Sequence, residues 1–302
     1  MSTRLALLTL SVSVFLCATA SAQDRLAVPR LGIVLSPDGI LSTLEGVPGA
    51  ARLLQTSDSS HYDSLTTASH AQTSVLAIGR NITISTPERR SLLTLSAPPA
   101  ATAISPQGAY LAIIGGADLV IYDVAAALSS DPHITPLITL SLDSTTLTLA
   151  ISDHGTAIVS DATHLAVVRA SGLPELVSVP ITLPRFRPGT ETAIAYSPGQ
   201  SALILLDTHT LSTDRLLTTS EGLSEPTGLE IADSFVWISQ QGDNSAISYS
   251  LDTRSTLPFH FTPGPIRSLG TPGVFLWGST ALLDTRRDIA RVLLIATSDE
   301  AH

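Results

Sequence analysis

One pattern constrains this chain more than any other: a hairpin of two apolar strands returns repeatedly, each time around a turn built from Gly, Pro, Asp or Ser. The hairpins occupy 74–86, 109–124, 156–170, 191–208, 234–251 and 274–284, and one unit further back falls on 40–54. The segments between turns are short and rich in Val, Ile, Leu and Thr, so they read as strands rather than helices. One stretch without breakers, around 124–128, predicts a single short helical turn.

The turns centre on residues 47, 80, 116, 162, 198, 243 and 279. Their mean spacing is about 39 residues, close to the roughly 40–45 of one four-stranded propeller blade. A single four-stranded sheet leaves both faces uncovered, whereas radial stacking packs each sheet between two neighbours. The unbroken apolar runs Leu111-Ala112-Ile113-Ile114, Ala157-Ile158-Val159 and Leu203-Ile204-Leu205-Leu206 fit that requirement as inner strands. The period is too long for a β-helix coil, and a pair of sandwiches would not repeat one turn. The predicted fold is therefore all-β, a seven-bladed β-propeller of four-stranded antiparallel blades. Six blades is the alternative, because 55–72 carries the weakest marks. The first strand, within 25–35, and the last, within 290–297, are expected to meet and close the ring.

A second turn precedes several hairpins: Ser36-Pro37-Asp38-Gly39, Ser105-Pro106-Gln107-Gly108, Ser152-Asp153-His154-Gly155 and, more weakly, Arg187-Pro188-Gly189-Thr190. A turn of fixed chemistry at a fixed offset is harder to produce by chance than a spacing alone. On these turns the chain resembles secreted bacterial propellers with S-P-D-G-type repeats, the TolB-like, WD40-like and YVTN-like group. It departs from that group in lacking Trp-Asp, Gly-His and Tyr-Val-Thr-Asn strings, so no subfamily is assigned.

The N-terminus carries the three parts of a secretory leader: Arg4, an apolar stretch over 5–17, and Ala20-Ser21-Ala22 as a small-residue cleavage site. The expected organisation is a signal peptide over 1–22 and a single propeller domain over 23–302, secreted or periplasmic after cleavage. The apolar stretch is shorter than the roughly 20 residues needed to span a bilayer. Cys17 is the single cysteine and lies within the leader, which leaves no disulfide framework, cysteine nucleophile or thiolate metal site after cleavage. The chain has no lysine and a formal net charge of −10, which argues against generic nucleic-acid or anionic-membrane binding.

No G-x-S-x-G, P-loop, G-x-G-x-x-G or H-E-x-x-H motif is present, and the eight histidines have no zinc-ligand spacing. No cofactor is expected; a structural divalent cation held by the turn residues Asp38, Asp153 and Asp233 is a minor reading, because such carboxylates usually accept hydrogen bonds from their own turn backbone. Trp237 and Trp277 occupy matching places in neighbouring units and are read as packing between blades rather than as a stacking platform. Arg185 and Arg187, with Arg286 and Arg287, form the basic patches of an acidic chain.

Two units carry extra residues, at 125–136 and 218–228, and loops of repeat proteins usually form the variable binding surface. In the propeller arrangement the first joins strands within a blade and the second joins two blades, which puts them on opposite faces. Arg185, Arg187, Glu221 and Glu225 are the candidate ligand or partner contacts. The expected function is a non-enzymatic protein-binding or scaffold module of the cell envelope or extracellular space. The alternative is a lactonase- or hydrolase-type enzyme with its site at the mouth of the central channel.

Overall fold

A computed structural model describes residues 28–56, 58–129, 135–142, 148–169, 173–241, 245–259, 264–279, 281–286 and 290–295. The predicted leader and the start of the chain at Gln23 lie outside these residues. Blade 1 comprises β1 (Arg30–Leu35), β2 (Leu41–Glu45) and β3 (Arg52–Gln55). Blade 2 comprises β4 (Ser64–Thr67), β5 (Ser74–Ile78), β6 (Asn81–Ser85) and β7 (Arg90–Thr94). Blade 3 follows with β8 (Pro99–Ile104), β9 (Tyr110–Gly115), β10 (Asp118–Asp123) and β11 (Ile138–Ser141). Blade 4 holds β12 (Thr148–Ile151), β13 (Ala157–Ser160), β14 (Leu165–Val168) and β15 (Pro174–Val177). Blade 5 holds β16 (Thr182–Phe186), β17 (Thr192–Ser197), β18 (Ala202–Asp207) and β19 (Ser212–Thr218). Blade 6 holds β20 (Pro226–Ala232), β21 (Phe235–Gln240), β22 (Ala246–Ser250) and β23 (Ser255–Phe259). Blade 7 ends the ring with β24 (Ile266–Thr271), β25 (Val274–Trp277), β26 (Ala281–Asp284) and β27 (Arg291–Leu294).

All strand pairs are antiparallel, and the first strand of each blade packs against the first strands of its neighbours around a central channel. This is a seven-bladed β-propeller, as the period predicts. Every predicted hairpin is the second and third strand of a blade. The unbroken apolar runs belong to these middle strands rather than the innermost ones: Leu111–Ile114 and Ala157–Val159 are buried on both faces between adjacent blades. The innermost strands carry more polar residues, because one side of each looks into the channel. The short helix α1 (Val124–Ala127) follows β10, capped where Ala126 N–H donates to the Asp123 carboxylate at 2.9 Å.

The recurring turn joins first and second strands, and its chemistry is local. In 105–108, Gly108 N–H donates to Ser105 O at 2.9 Å, while the buried Ser105 hydroxyl accepts from Ala109 and Tyr110 N–H. Ser152 does the same for Thr156, and Gly108 and Gly155 adopt φ of 73° and 82°, where glycine avoids a steric cost. In blades 2–7 these turns define the lower face of the ring.

Blade 1 departs from the other six. It has three strands among the described residues, and it runs the other way. Gly32, near the start of β1, sits so close to β24 that an added Cβ would lie 2.2 Å from Leu269 O. Seven residues on, Gly39 O accepts from Tyr62 N–H at 2.8 Å, and the next residue, Asp63, bonds to Ala77 at the upper end of blade 2. The chain therefore climbs along β1 while β4 and β24 descend, and the Ser36–Gly39 turn lies on the upper face. With three strands, β3 finishes on the face where β4 begins.

Hydrophobic clusters fill the seams. Ile194, Leu203, Leu217, Leu229, Val236 and Tyr249 pack between blades 5 and 6, each side chain of the Leu or Ile kind contributing about 1.5–3 kcal/mol on burial. The terminal strands share one cluster, in which Leu31 and Ile295 pack with Leu44, Leu269 and Leu276. The ring thus closes by side-chain packing of β1 on β24, and β27 pairs with β26 rather than with β1.

Candidate functional site

The seven innermost strands enclose a cavity of about 660 Å³. Blades 1 to 4 give it Leu35, Leu65, Ile104, Leu149 and Ile151, with Thr66 and Thr102 sharing a 2.6 Å hydrogen bond between blades 2 and 3. Blades 5 to 7 give it charge. Arg185 projects from β16, Glu230 from β20 and Arg267 from β24, so three consecutive inner strands each contribute one ionisable side chain. Asp63 lies at the upper rim, where its carboxylate accepts Gly79 N–H at 2.6 Å. These four are the titratable groups among the described residues lining the cavity, and none is a histidine.

Glu230 is 3% exposed, which would be costly for an unpaired carboxylate. It is paired: Arg185 Nε donates to Glu230 Oε1 at 3.3 Å, and Ser268 N–H donates to the same carboxylate from the next blade. Burial pushes Glu230 above the usual carboxylate range, and the Arg185 charge and hydrogen bonds oppose that push. Arg185 also donates from Nη1 to Pro184 O at 3.0 Å and keeps part of its side chain open to the cavity. Arg267 is exposed to the channel, and its guanidinium has no hydrogen-bond or ion-pair partner among the described residues.

The lower mouth is knitted by its turns. The Asp153 carboxylate of blade 4 accepts Gln107 N–H from blade 3 at 2.7 Å and Gly189 N–H from blade 5 at 2.8 Å. His70 of blade 2 donates its backbone N–H to Pro106 O at 2.8 Å. Its ring is half-buried, and burial lowers its affinity for a proton while Asp233 and Asp153 oppose that effect. Asp153 therefore does accept turn backbone, but from two neighbouring turns rather than its own. Asp38 lies on the opposite face, so the three recurring aspartates do not converge. No cluster of three His, Cys, Asp or Glu suited to a metal ion occurs among the described residues.

The four predicted contact residues are dispersed. Arg185 is in the cavity wall. Arg187 is in the lower turn of blade 5, its N–H donating to Thr192 O at 2.9 Å. Glu221 and Glu225 lie in the upper-face connection between blades 5 and 6. Glu221 caps its own loop, accepting from Thr218 N–H at 2.9 Å and from the Thr218 hydroxyl at 2.8 Å. Glu225 is exposed, with its carbonyl accepting Gln241 N–H at 3.1 Å. The described residues of the other extra segment, 125–129 and 135–136, follow β10 on the lower face, opposite the 218–228 connection as expected. Trp237 and Trp277 are buried in the seam between blades 6 and 7, and Arg286 pairs with Asp284 at 2.9 Å. Arg287 lies outside the described residues.

Sequence reading missed Glu230 and Arg267. The available signal was a charged residue in the strand preceding a repeat hairpin, as in Leu229-Glu230-Ile231 and Ile266-Arg267-Ser268.

No family model and no curated protein matches the chain. Solved structures do. Sqt1 from Chaetomium thermophilum, bound to the N-terminus of the ribosomal protein L10, aligns with a TM-score of 0.55 and 18% identity over 87% of this chain and 80% of that one. A chain of a mitotic checkpoint complex aligns with a TM-score of 0.58 and 11% identity over 87% and 82%. The WD40 repeats of RRP9 align with a TM-score of 0.54 and 13% identity over 78% and 79%. At such identities the likeness establishes the propeller fold alone.

Proposed function

We propose that this chain is a secreted or periplasmic propeller that binds a protein partner through its upper face, acting as a scaffold in the cell envelope or outside the cell. The observation that carries the reading is the 218–228 connection, a loop built to be held in one shape on that face. The Glu221 cap closes its first turn, Gly222 takes φ 97°, and Leu223 is buried in the blade 5–6 core. Gln240 accepts Ser224 N–H and Gln241 donates to Glu225, which fixes the return. A loop ordered before binding pays less conformational entropy on association. The similar structures include propellers solved in assemblies, one on a ribosomal-protein N-terminus, which supports a binding role by analogy.

The test is capture from the native envelope fraction by photo- or carboxylate-directed cross-linking, since a chain without lysine offers amine reagents almost nothing. One stoichiometric protein partner is expected, lost when 218–228 is shortened. Mass determination of the exported protein should find Gln23 first. No reproducible partner, or capture indifferent to the loop, would overturn the reading.

A further inference from the structure

The central cavity is a built site with an uneven lining, and its two halves call for different parts of one ligand. Arg185 and Arg267 bring two positive charges; Glu230 supplies a negative charge engaged by Arg185 and by Ser268 N–H, and Asp63 supplies a second at the upper rim, where its carboxylate accepts Gly79 N–H. The four charges of the lining balance, and the Arg267 guanidinium is the one among them with no protein partner among the described residues. Across the channel, blades 2 to 4 offer Leu65, Ile104 and Leu149. Its volume of about 660 Å³ falls within the roughly 300–1,000 Å³ of small-molecule sites.

We propose that this cavity binds an organic monocarboxylate with an apolar body, its head held by Arg267 with help from Arg185 and its body laid against the apolar arc. A guanidinium presents two parallel N–H donors that match a carboxylate, and removal from bulk water strengthens the contact. With the lining balanced, a monoanion adds one negative charge to a cavity that already holds Glu230 and Asp63, whereas a phosphate dianion would add two, which favours the monoanion. The apolar arc would leave an inorganic anion with nothing to occupy it. The site is separate from the 218–228 loop, so it stands or falls independently of the protein-binding role.

Isothermal titration calorimetry on the full chain, with octanoate, octanamide and inorganic phosphate as probes, tests this. Octanoate should bind saturably at one site, with octanamide and phosphate each at least tenfold weaker. Arg267→Gln, a change at an exposed side chain, should weaken octanoate at least tenfold, whereas Arg80→Gln in an exposed turn should leave it unchanged. Glu230→Gln releases Arg185 and should tighten octanoate several-fold. The proposal is overturned by absence of saturable octanoate binding, by equal binding of phosphate or octanamide, by indifference to Arg267→Gln, or by an unchanged or weaker affinity in Glu230→Gln.

Discussion

Blades 5 and 1 solve the same problem differently. Blade 5 is a full four-stranded meander, and its seam with blade 6 is filled by Ile194, Leu203, Leu217, Val236 and Tyr249. Blade 1 has three strands among the described residues, runs in the opposite sense, and meets blade 2 through Ile33, Leu41, Tyr62 and Leu76. One of those four, Tyr62, is borrowed from the connection that follows the blade. In a ring whose stability is largely a sum of nearest-neighbour packing, the reversed blade is the thin link. With three described strands, the reversal lets β3 end on the face where β4 begins.

The largest expected difference comes from truncating a leucine in each seam. Leu203 is fully buried in the blade 5–6 cluster, and Leu203→Ala should cost about 2–5 kcal/mol of global stability in urea unfolding. Leu41 is 8% exposed in the sparser cluster, so Leu41→Ala should cost less globally. It should instead speed hydrogen exchange across β1–β3 while blades 5 and 6 keep their protection. Equal global losses with uniform exchange would break the comparison and make the ring a single cooperative unit.

A smaller effect tests how blade 1 closes the ring. An added Cβ at Gly32 would lie 2.2 Å from Leu269 O, and a backbone atom of a neighbouring strand yields little. Gly32→Ala should therefore cost about 1–3 kcal/mol by overpacking. Gly49 lies in the same blade with nothing within 4 Å of an added Cβ, so Gly49→Ala should be near neutral in the same thermal or urea measurement. A neutral Gly32→Ala would mean that β1 does not need its close seat on β24.

The repeat was legible because its two marks are local. Turn residues and apolar runs are dictated by backbone geometry and by burial on both sides, so the middle strands of every blade could be placed from sequence. The reversal of blade 1 could not. Ser36-Pro37-Asp38-Gly39 has the same chemistry as Ser105-Pro106-Gln107-Gly108, and a turn does not encode which face it occupies. The site was half legible for a related reason. Arg185 stood out as part of a basic pair, whereas Glu230 and Arg267 became meaningful only when β16, β20 and β24 were seen side by side around the channel. Charges 45 and 37 positions apart along the chain meet there through tertiary structure alone.

The smallest expected effect separates the floor of the channel from its wall, because the two titrate with opposite sign. Burial lowers the proton affinity of His70 at the lower mouth, so its neutral form is favoured in the folded state. That contribution is present above the unfolded value near 6.5 and is lost as pH falls through the lower folded value. Glu230 is pushed up, so its contribution is present below the ordinary carboxylate range and is lost as pH rises through its higher folded value. The groups facing His70 are Asp153, Asp233 and the Ser69 hydroxyl, which lies 3.0 Å from Nδ1. Urea unfolding of the parent chain and of His70→Gln at about pH 7.5 and about pH 5.5 isolates the floor. The parent should lose more stability on acidification than the variant, and an identical loss would show that the floor does not sense pH through His70.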